Sequence, residues 1–261
     1  MHDLIVMGIG ELGQLYATAA LKRGMRVIPV TRAARPEVAL QGIPLDTPLL
    51  VAVGEADLEP ALESLPKPRL DSIILLQNEL FPSLWQRFSE RATVMVPWLL
   101  KKKGEPLLVA RSTPVYGQFA ELAQALHESL GFAVDRLPDM AALEQAIVDK
   151  YAFILSVNAL GLMRDIRLGE WLKDGPQEVQ VLAREAAVLG SRLVSEGARS
   201  PSNQPIDLNQ TVAQVHAGML HMAGMRAKGR TAPDRVRRAL EHAGRFRLNT
   251  PALLQASRSS G

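Results

Sequence analysis

Three closely spaced glycines follow the first apolar run of the chain and restrict what its beginning can fold into. The run ends at Met7, and Gly8, Gly10 and Gly13 stand in the pattern G-x-G-x-x-G. In such a motif the first glycine permits a tight turn, the second lets the backbone approach a pyrophosphate, and the third lets the next helix pack closely on the strand. The pattern therefore predicts a strand, a turn and a helix whose N-terminus binds a dinucleotide.

The residues around these glycines are consistent with a βαβ unit. A helical pattern of apolar residues starts at Leu12, and a second apolar run extends from Met25 to Val30. Within the turn, we expect the three glycines together with Glu11 and Leu12 to contact the cofactor. Three glycines at this spacing also occur by chance, so a strand-to-helix turn with a purely structural role remains the alternative.

The end of the second predicted strand indicates which dinucleotide is bound. An NAD site carries a carboxylate there to hold the ribose 2′-hydroxyl, whereas this chain continues Thr31-Arg32-Ala33-Ala34-Arg35. Arg32, with Arg35 behind it, can form charge-assisted hydrogen bonds to a 2′-phosphate, and Thr31 can add a hydroxyl. The pattern favours NADP over NAD. The alternative is that Arg32 and Arg35 are solvated loop charges.

Composition excludes several other classes of function. The 261-residue chain has no cysteine, which removes disulfides, thiolate nucleophiles and cysteine-bound metals. Its net charge is only +3, and the basic residues between 226 and 238 lack interleaved aromatic residues, so no nucleic-acid partner is predicted. His216 and His221 are five residues apart and do not share a helix face, so no metal site is predicted.

The beginning of the chain has no feature of a targeting or membrane segment. Its first apolar run is short and has no basic leader, so we expect neither a signal peptide nor a membrane span there. A cytoplasmic enzyme or sensor with a small-molecule partner is the expectation.

Strand and helix patterns alternate up to about residue 137, as a parallel sheet requires. Beyond Pro138 the periodic segments are long, and none has the pattern of a strand. The sequence thus predicts an α/β protein with a Rossmann-type NADP-binding domain at 1–137 and an all-helical substrate domain at 138–261. Further strands are expected at 48–53, 72–76, 93–98, 107–109 and 132–134, with a hairpin-like connection at 101–106, and helices at 55–65, 116–130, 140–163, 176–196, 211–228 and 233–243. The last residues, 257–261, are expected to fray.

One segment of the helical half carries polar groups on an apolar helix. Lys150, Ile154 and Asn158 are spaced by four and share one helix face. A lysine and an amide on such a face must find partners or open onto a cavity, because burying them unsatisfied is costly. A substrate-binding wall between the two domains is one interpretation. The alternative is that Lys150 reaches water and Asn158 bonds locally.

These motifs together resemble those of the ketopantoate reductases, over almost the whole length of the chain. The resemblance rests on the glycine motif with Arg32, on Leu76-Gln77-Asn78 at the end of a strand, and on the segment from Lys150 to Asn158. It also rests on the late stretch 211–229 and the Thr231-Ala232-Pro233 that follows. It implies an NADP-dependent reductase of a 2-keto acid, in which two copies of the helical domain can pair.

The resemblance also implies roles for individual residues. Lys150 corresponds to the catalytic lysine, the general acid that stabilises and protonates the developing alkoxide. Asn78 corresponds to the asparagine that places the nicotinamide and the substrate. Asn158 corresponds to a substrate-binding asparagine, and Ser200 falls near the serine that bonds the substrate carboxylate.

Several positions depart from the family's pattern. Gly54 stands where the family has a lysine after the third strand, and Glu79 stands where it has a glycine. Ile154 replaces a second substrate-binding asparagine. Val212 stands where a substrate-gripping glutamate is expected, with Asp207 as an alternative source of that carboxylate.

These departures remove groups that would hold substrate hydroxyls, so the substrate is expected to differ from ketopantoate. Two other functions stay open. The chain could be an NADP(H)-binding sensor that has lost catalysis, or a reductase of imines.

Overall fold

The structure is a computed structural model, and it describes residues 3–33, 36–100, 108–199, 201–227 and 231–259. The chain divides into two compact units. The first comprises Met1–Leu143 and Gly197–Pro201, and the second comprises Glu144–Glu196 and Ser202–Gly261. The division falls a few residues after the predicted boundary at 137, because the first turn of a long helix groups with the first unit.

A seven-stranded sheet organises the first unit. Its strands are β1 (Asp3–Met7), β2 (Arg26–Val30), β3 (Leu49–Val51), β4 (Ile73–Leu75), β5 (Thr93–Met95), β8 (Thr113–Tyr116) and β9 (Val134–Arg136). They lie in the order β2-β1-β3-β4-β5-β8-β9. The pairs from β2 to β5 are parallel, whereas β8 is antiparallel to β5 and parallel to β9. Two short strands, β6 (Leu99–Leu100) and β7 (Leu108–Val109), pair with each other outside this sheet.

The core of the first unit explains why β1, β3 and β4 read as unbroken apolar runs. Parallel strands in the middle of a sheet are covered on both faces, and all residues of β3 and β4 are buried. The α-helices that lie wholly within the described residues of this unit are α1 (Glu11–Lys22), α2 (Pro36–Ala39), α3 (Leu58–Glu63), α4 (Pro82–Trp85) and α5 (Ala120–Glu128). Apolar residues of α1 and α5 pack with those of β1 and β4 in one cluster.

A buried polar pair joins α1 to α5 inside this core. The Tyr16 hydroxyl lies 3.1 Å from His127 Nε2, and His127 Nδ1 lies 3.0 Å from the Ala123 carbonyl oxygen. A carbonyl only accepts, so Nδ1 carries the proton and Nε2 accepts from the tyrosine. Burial lowers the pKa of the His127 imidazole and raises that of the Tyr16 phenol. Both groups are therefore neutral.

Strand β8 was not predicted. The sequence indicates a helix from residue 116, but Thr113–Tyr116 forms β8 and the helix starts at Ala120. Pro114, which lacks an N–H group, obscures the strand pattern. Gly117 separates the two elements, with φ at +122° and a position so close to Thr93 that an added Cβ would lie 2.6 Å from its Cα. The predicted connection at 101–106 lies outside the described residues.

The described residues of the second unit form helices and no β-strand. The helices are α6 (Met140–Met163), which begins in the first unit, α7 (Leu168–Asp174), α8 (Pro176–Ser195), α9 (Leu208–His221), α10 (Ala232–Arg245) and α11 (Pro251–Arg258). Helices α7 and α11 were not predicted, and only the end of α11 falls in the segment 257–261 that was expected to fray. Glu185 holds the start of α11 by accepting from the Ala252 and Leu253 amides, both at 2.9 Å.

Helix α6 is long and apolar enough to cross a membrane, but this is weak evidence for a span. In its most apolar window, 83% of the residues are buried inside the structure. Core helices of folded domains have the same composition, and we interpret α6 as one of them.

The buried imidazole predicts a pH-dependent stability. In the unfolded chain His127 takes up a proton near its ordinary pKa of about 6.5, whereas the folded form resists it. The free energy of unfolding should therefore be highest above that pH and fall toward about pH 5.5, by at most about 1.4 kcal/mol per pH unit. Urea unfolding should show a flatter dependence in His127→Gln, with the exposed His216→Gln as the matched control. Equal slopes in all three proteins would contradict the assignment.

Candidate functional site

The three glycines of the motif adopt the geometry that the sequence predicts, each for a different reason. Gly8 has φ at +90°, and an added Cβ would lie 2.9 Å from the Ala52 carbonyl oxygen. A Cβ on Gly13 would lie only 1.9 Å from the Gly8 carbonyl oxygen. At Gly10, in contrast, no atom of the described residues beyond its chain neighbours lies within 4 Å of the Cβ position. The turn is closed on the protein side and open at the middle glycine.

The open glycine stands at the start of α1. Gly10 is the N-cap residue, and as a glycine it has no side chain that could cap the helix. Its carbonyl accepts from the Gln14 amide at 2.9 Å, which leaves the preceding amides of α1 without an intrahelical acceptor. These amides and the positive end of the helix dipole suit an anion. The turn therefore has the shape and charge that a pyrophosphate requires.

Arg32 follows β2 at the same edge of the sheet. Its guanidinium Nη2 donates to Asp57 Oδ2 at 2.9 Å, with 91% of the Arg32 side chain and 54% of the Asp57 side chain exposed. Thr31 is also exposed, and its hydroxyl accepts from the Ala33 amide at 3.4 Å. Arg35, the second predicted cation, lies outside the described residues. Sequence reasoning did not predict the Asp57 partner, because the two residues are 25 positions apart.

The ends of β3 and β4 are joined by side-chain amides. Gln77 Nε2 donates to the Val51 and Val53 carbonyls at 2.6 and 3.2 Å. Asn78 Nδ2 donates to Glu55 Oε1 at 2.7 Å. Asn78 therefore lies at the carboxyl edge of the sheet, where a parallel α/β fold binds its ligands. Glu55 and Asp57 both belong to one turn of 3-10 helix, Glu55–Asp57.

Glu79 occupies a backbone conformation that favours glycine. Its φ is +57°, one of two positive values among the described residues other than glycine. A non-glycine residue in the left-handed region is strained by about 1–2 kcal/mol. This conformation explains why the resemblance places a glycine at this position. In this chain the position has a glutamate, which adopts the conformation at that cost in energy.

Lys150 and Asn158 are both buried on α6, at 8% and 7% exposure. Asn158 Nδ2 donates to the Ile154 carbonyl at 2.6 Å, so the local bonding considered above does occur. The side-chain oxygen of Asn158, Oδ1, is however buried without a hydrogen-bond partner among the described residues. Lys150 does not extend into water as a snorkelling lysine would.

A buried carboxylate beside Lys150 links α6 to α9. Asp149 Oδ1 accepts from Thr211 Oγ1 at 2.7 Å and from Gln145 Nε2 at 2.8 Å. Gln210 Nε2 lies 3.4 Å from the other oxygen, Oδ2. The network sets the rotation of α9 against α6. Helical periodicity alone did not reveal it, because its members on α6 are about 60 residues from those on α9 in sequence.

The other positions that the resemblance connects with the substrate have different surroundings in the structure. Val212 lines a cavity of about 870 Å³ between α8 and α9. Asp207 caps α9, accepting from the Asn209 and Gln210 amides, so its carboxylate already has a structural role. Ser200 lies outside the described residues. Ser202, close to it in sequence, donates through its amide and its hydroxyl to the buried Glu144 carboxylate.

Comparisons with known proteins identify the fold. No family model and no curated protein matches the sequence. Solved structures do match: D-mandelate dehydrogenase bound to NADH has 13% identity and a TM-score of 0.64, covering 99% of this chain and 97% of its own. 2-Dehydropantoate 2-reductase from Porphyromonas gingivalis W83 has 16% identity and a TM-score of 0.63, and the match covers 98% of each chain. The dimeric ketopantoate reductase from Staphylococcus aureus has 15% identity and a TM-score of 0.58, and the match covers 99% of this chain and 100% of its own.

At such low sequence identities, the structural similarity shows a shared fold. The chain has the fold of these enzymes along its whole length, an N-terminal Rossmann-type domain followed by a helical domain. The predicted resemblance to ketopantoate reductases is therefore confirmed at the level of the fold.

The geometry of the glycine turn predicts that two alanine substitutions destabilise the protein to very different extents. Gly13→Ala should lower the free energy of unfolding by more than about 2 kcal/mol, because the new methyl collides with the Gly8 carbonyl. Gly10→Ala should cost less than about 1 kcal/mol, since its φ of −81° suits alanine and its surroundings are open. Urea unfolding of both variants checks this, and similar losses would contradict the described packing.

Proposed function

We propose that this chain is an NADP-dependent reductase of a small carbonyl compound of the 2-keto-acid class. The observation that carries the proposal is the glycine turn, which is closely packed at Gly8 and Gly13 and open at Gly10, the N-cap residue of α1. The proteins of similar fold are described as dehydrogenases and reductases, and one of them is bound to NADH.

The residues at the sheet edge suit a dinucleotide. The first amides of α1, from Glu11 to Gly13, would hold the pyrophosphate. Arg32 and Thr31 would bind the 2′-phosphate, and Asn78 would lie at the nicotinamide. Because a similar fold is bound to NADH, the preference for NADP rests on Arg32 rather than on the fold.

The cofactor, when bound, supplies a hydride to the substrate carbonyl carbon. Charge then develops on the carbonyl oxygen. In this proposal the Lys150 ammonium stabilises that charge and donates a proton to the oxygen, which makes it the general acid. Its burial favours the role, because charges interact more strongly away from water. Asn158 and Ser200 would orient the substrate, and Asn78 would orient both reactants.

The substrate is expected to differ from ketopantoate. Gly54, Ile154 and Val212 cannot supply the hydrogen bonds that the resemblance assigns to those positions. Asp207 would have to leave the N-terminus of α9 to replace the missing carboxylate. Since D-mandelate dehydrogenase has a similar fold, the fold accommodates acids other than ketopantoate.

The role of Lys150 predicts a selective loss of turnover. Lys150→Ala should lower kcat/KM by at least about 100-fold, while the Kd for NADPH changes by less than about twofold because the lysine does not hold the cofactor. NADPH oxidation should be followed with a panel of 2-keto acids, with and without primary amines. Lys173→Ala, an exposed lysine of α7, is the control.

The same assay distinguishes the alternatives. Unchanged turnover in Lys150→Ala would refute its role as the acid. Tight NADPH binding without oxidation by any carbonyl compound would favour the sensor, and turnover only with an amine present would favour an imine reductase.

The role of Arg32 predicts a change in cofactor preference. Arg32→Ala should weaken NADPH binding by at least about tenfold, since a charge-assisted bidentate contact is lost, and leave NADH binding within about twofold. Fluorescence titration of both nucleotides measures this. Arg26→Ala, at the opposite end of β2 and paired with Asp3, is the matched control. Equal losses for NADPH and NADH would remove the 2′-phosphate assignment.

A further inference from the structure

The ion pair between Arg32 and Asp57 crosses the place where the glycine turn begins. In the sheet, β1 lies between β2 and β3, and Met7 at its end pairs with Val30 on one side and Val51 on the other. Arg32 follows β2 and Asp57 follows β3. Their contact at 2.9 Å therefore spans the carboxyl end of β1, beside Gly8.

We infer that Asp57 is a cofactor-selectivity residue whose carboxylate competes with the 2′-phosphate for Arg32. The inference rests on the proposed function and concerns its cofactor site. In the structure Arg32 Nη2 donates to the Asp57 carboxylate, and a 2′-phosphate held bidentately by the same guanidinium would compete for that nitrogen. A phosphate bound there would also meet the negative charge of Asp57 at short range. Both effects weaken NADPH binding, and neither acts on NADH, which has a hydroxyl at that position.

The exposure of the pair limits the size of the effect. An ion pair between side chains that are 91% and 54% exposed is weak, because water screens it and both side chains lose freedom. A phosphate can therefore displace Asp57. The pair adjusts the preference between the two cofactors without abolishing the binding of either.

The turn that carries Asp57 also engages the second predicted cofactor residue of this edge. Glu55 accepts from Asn78 Nδ2 at 2.7 Å, so the Glu55–Asp57 turn contacts the ends of both β2 and β4. The turn has two carboxylates and no cation. Its charge therefore opposes an additional phosphate near the end of β1.

The test is the substitution Asp57→Asn in the full chain, which keeps the shape of the side chain and removes its charge. The Kd for NADPH should fall by about two- to tenfold, and the Kd for NADH should stay within about twofold. Titration by fluorescence or calorimetry measures both constants without any turnover. Since screening weakens the charge effect, the gain for NADPH should shrink at high salt.

Two further variants make the result specific. Glu59→Gln removes one negative charge close by in sequence, from a residue paired with Arg87, and should leave both constants unchanged. In Arg32→Ala, adding Asp57→Asn should produce less than the gain seen in the parent chain, because the competition no longer exists.

The outcomes separate this inference from the proposed function. Wild-type protein that binds neither nucleotide would overturn both. If the wild type binds nucleotide but Asp57→Asn changes neither constant, or tightens both equally, only the selectivity role fails. Weaker NADH binding in Asp57→Asn would also overturn it, since the carboxylate would then act as a ribose acceptor.

Discussion

The contact between Gly13 and the Gly8 carbonyl is the constraint on which the rest of the first unit depends. It brings the first turn of α1 against the end of β1 so closely that no side chain fits between them. Because β1 lies between β2 and β3, the same contact aims the uncapped end of the helix at the edge where those strands also end. A site for an anion follows from packing alone, before any charged side chain is considered.

Side chains at that edge are already paired, and the pairing shapes what the edge can bind. Asp57 engages Arg32, and Glu55 engages Asn78. A polar group that already has a partner gains less from a ligand than a free one does, because the ligand replaces an existing bond. Binding at this edge is thus an exchange of partners. Its balance depends on the charges of the Glu55–Asp57 turn as much as on the residues that contact the ligand.

The sequence could predict the parts of this arrangement that are local. The glycine turn, the second strand with Arg32 and the change to helices after Pro138 each depend on residues close together in the chain, and the structure has all of them. Features that depend on distant residues were missed. Strand β8 exists because β5 and β9 lie on either side of it. Helix α11 depends on Glu185, and the partners of Arg32 and Asp149 lie 25 and 62 positions away.

The rotation of α9 determines where a carboxylate at position 212 would point. Thr211 bonds Asp149 on α6, and the next residue of a helix points about 100° away. Val212 accordingly lines the cavity beside α8. A glutamate there would extend into that cavity, while Gln214 shares the face of Thr211 and Gln210 Nε2 lies 3.4 Å from Asp149 Oδ2. These side chains are neutral amides, which donate as well as accept, and a substrate held by them would need a different set of polar groups from one held by a carboxylate.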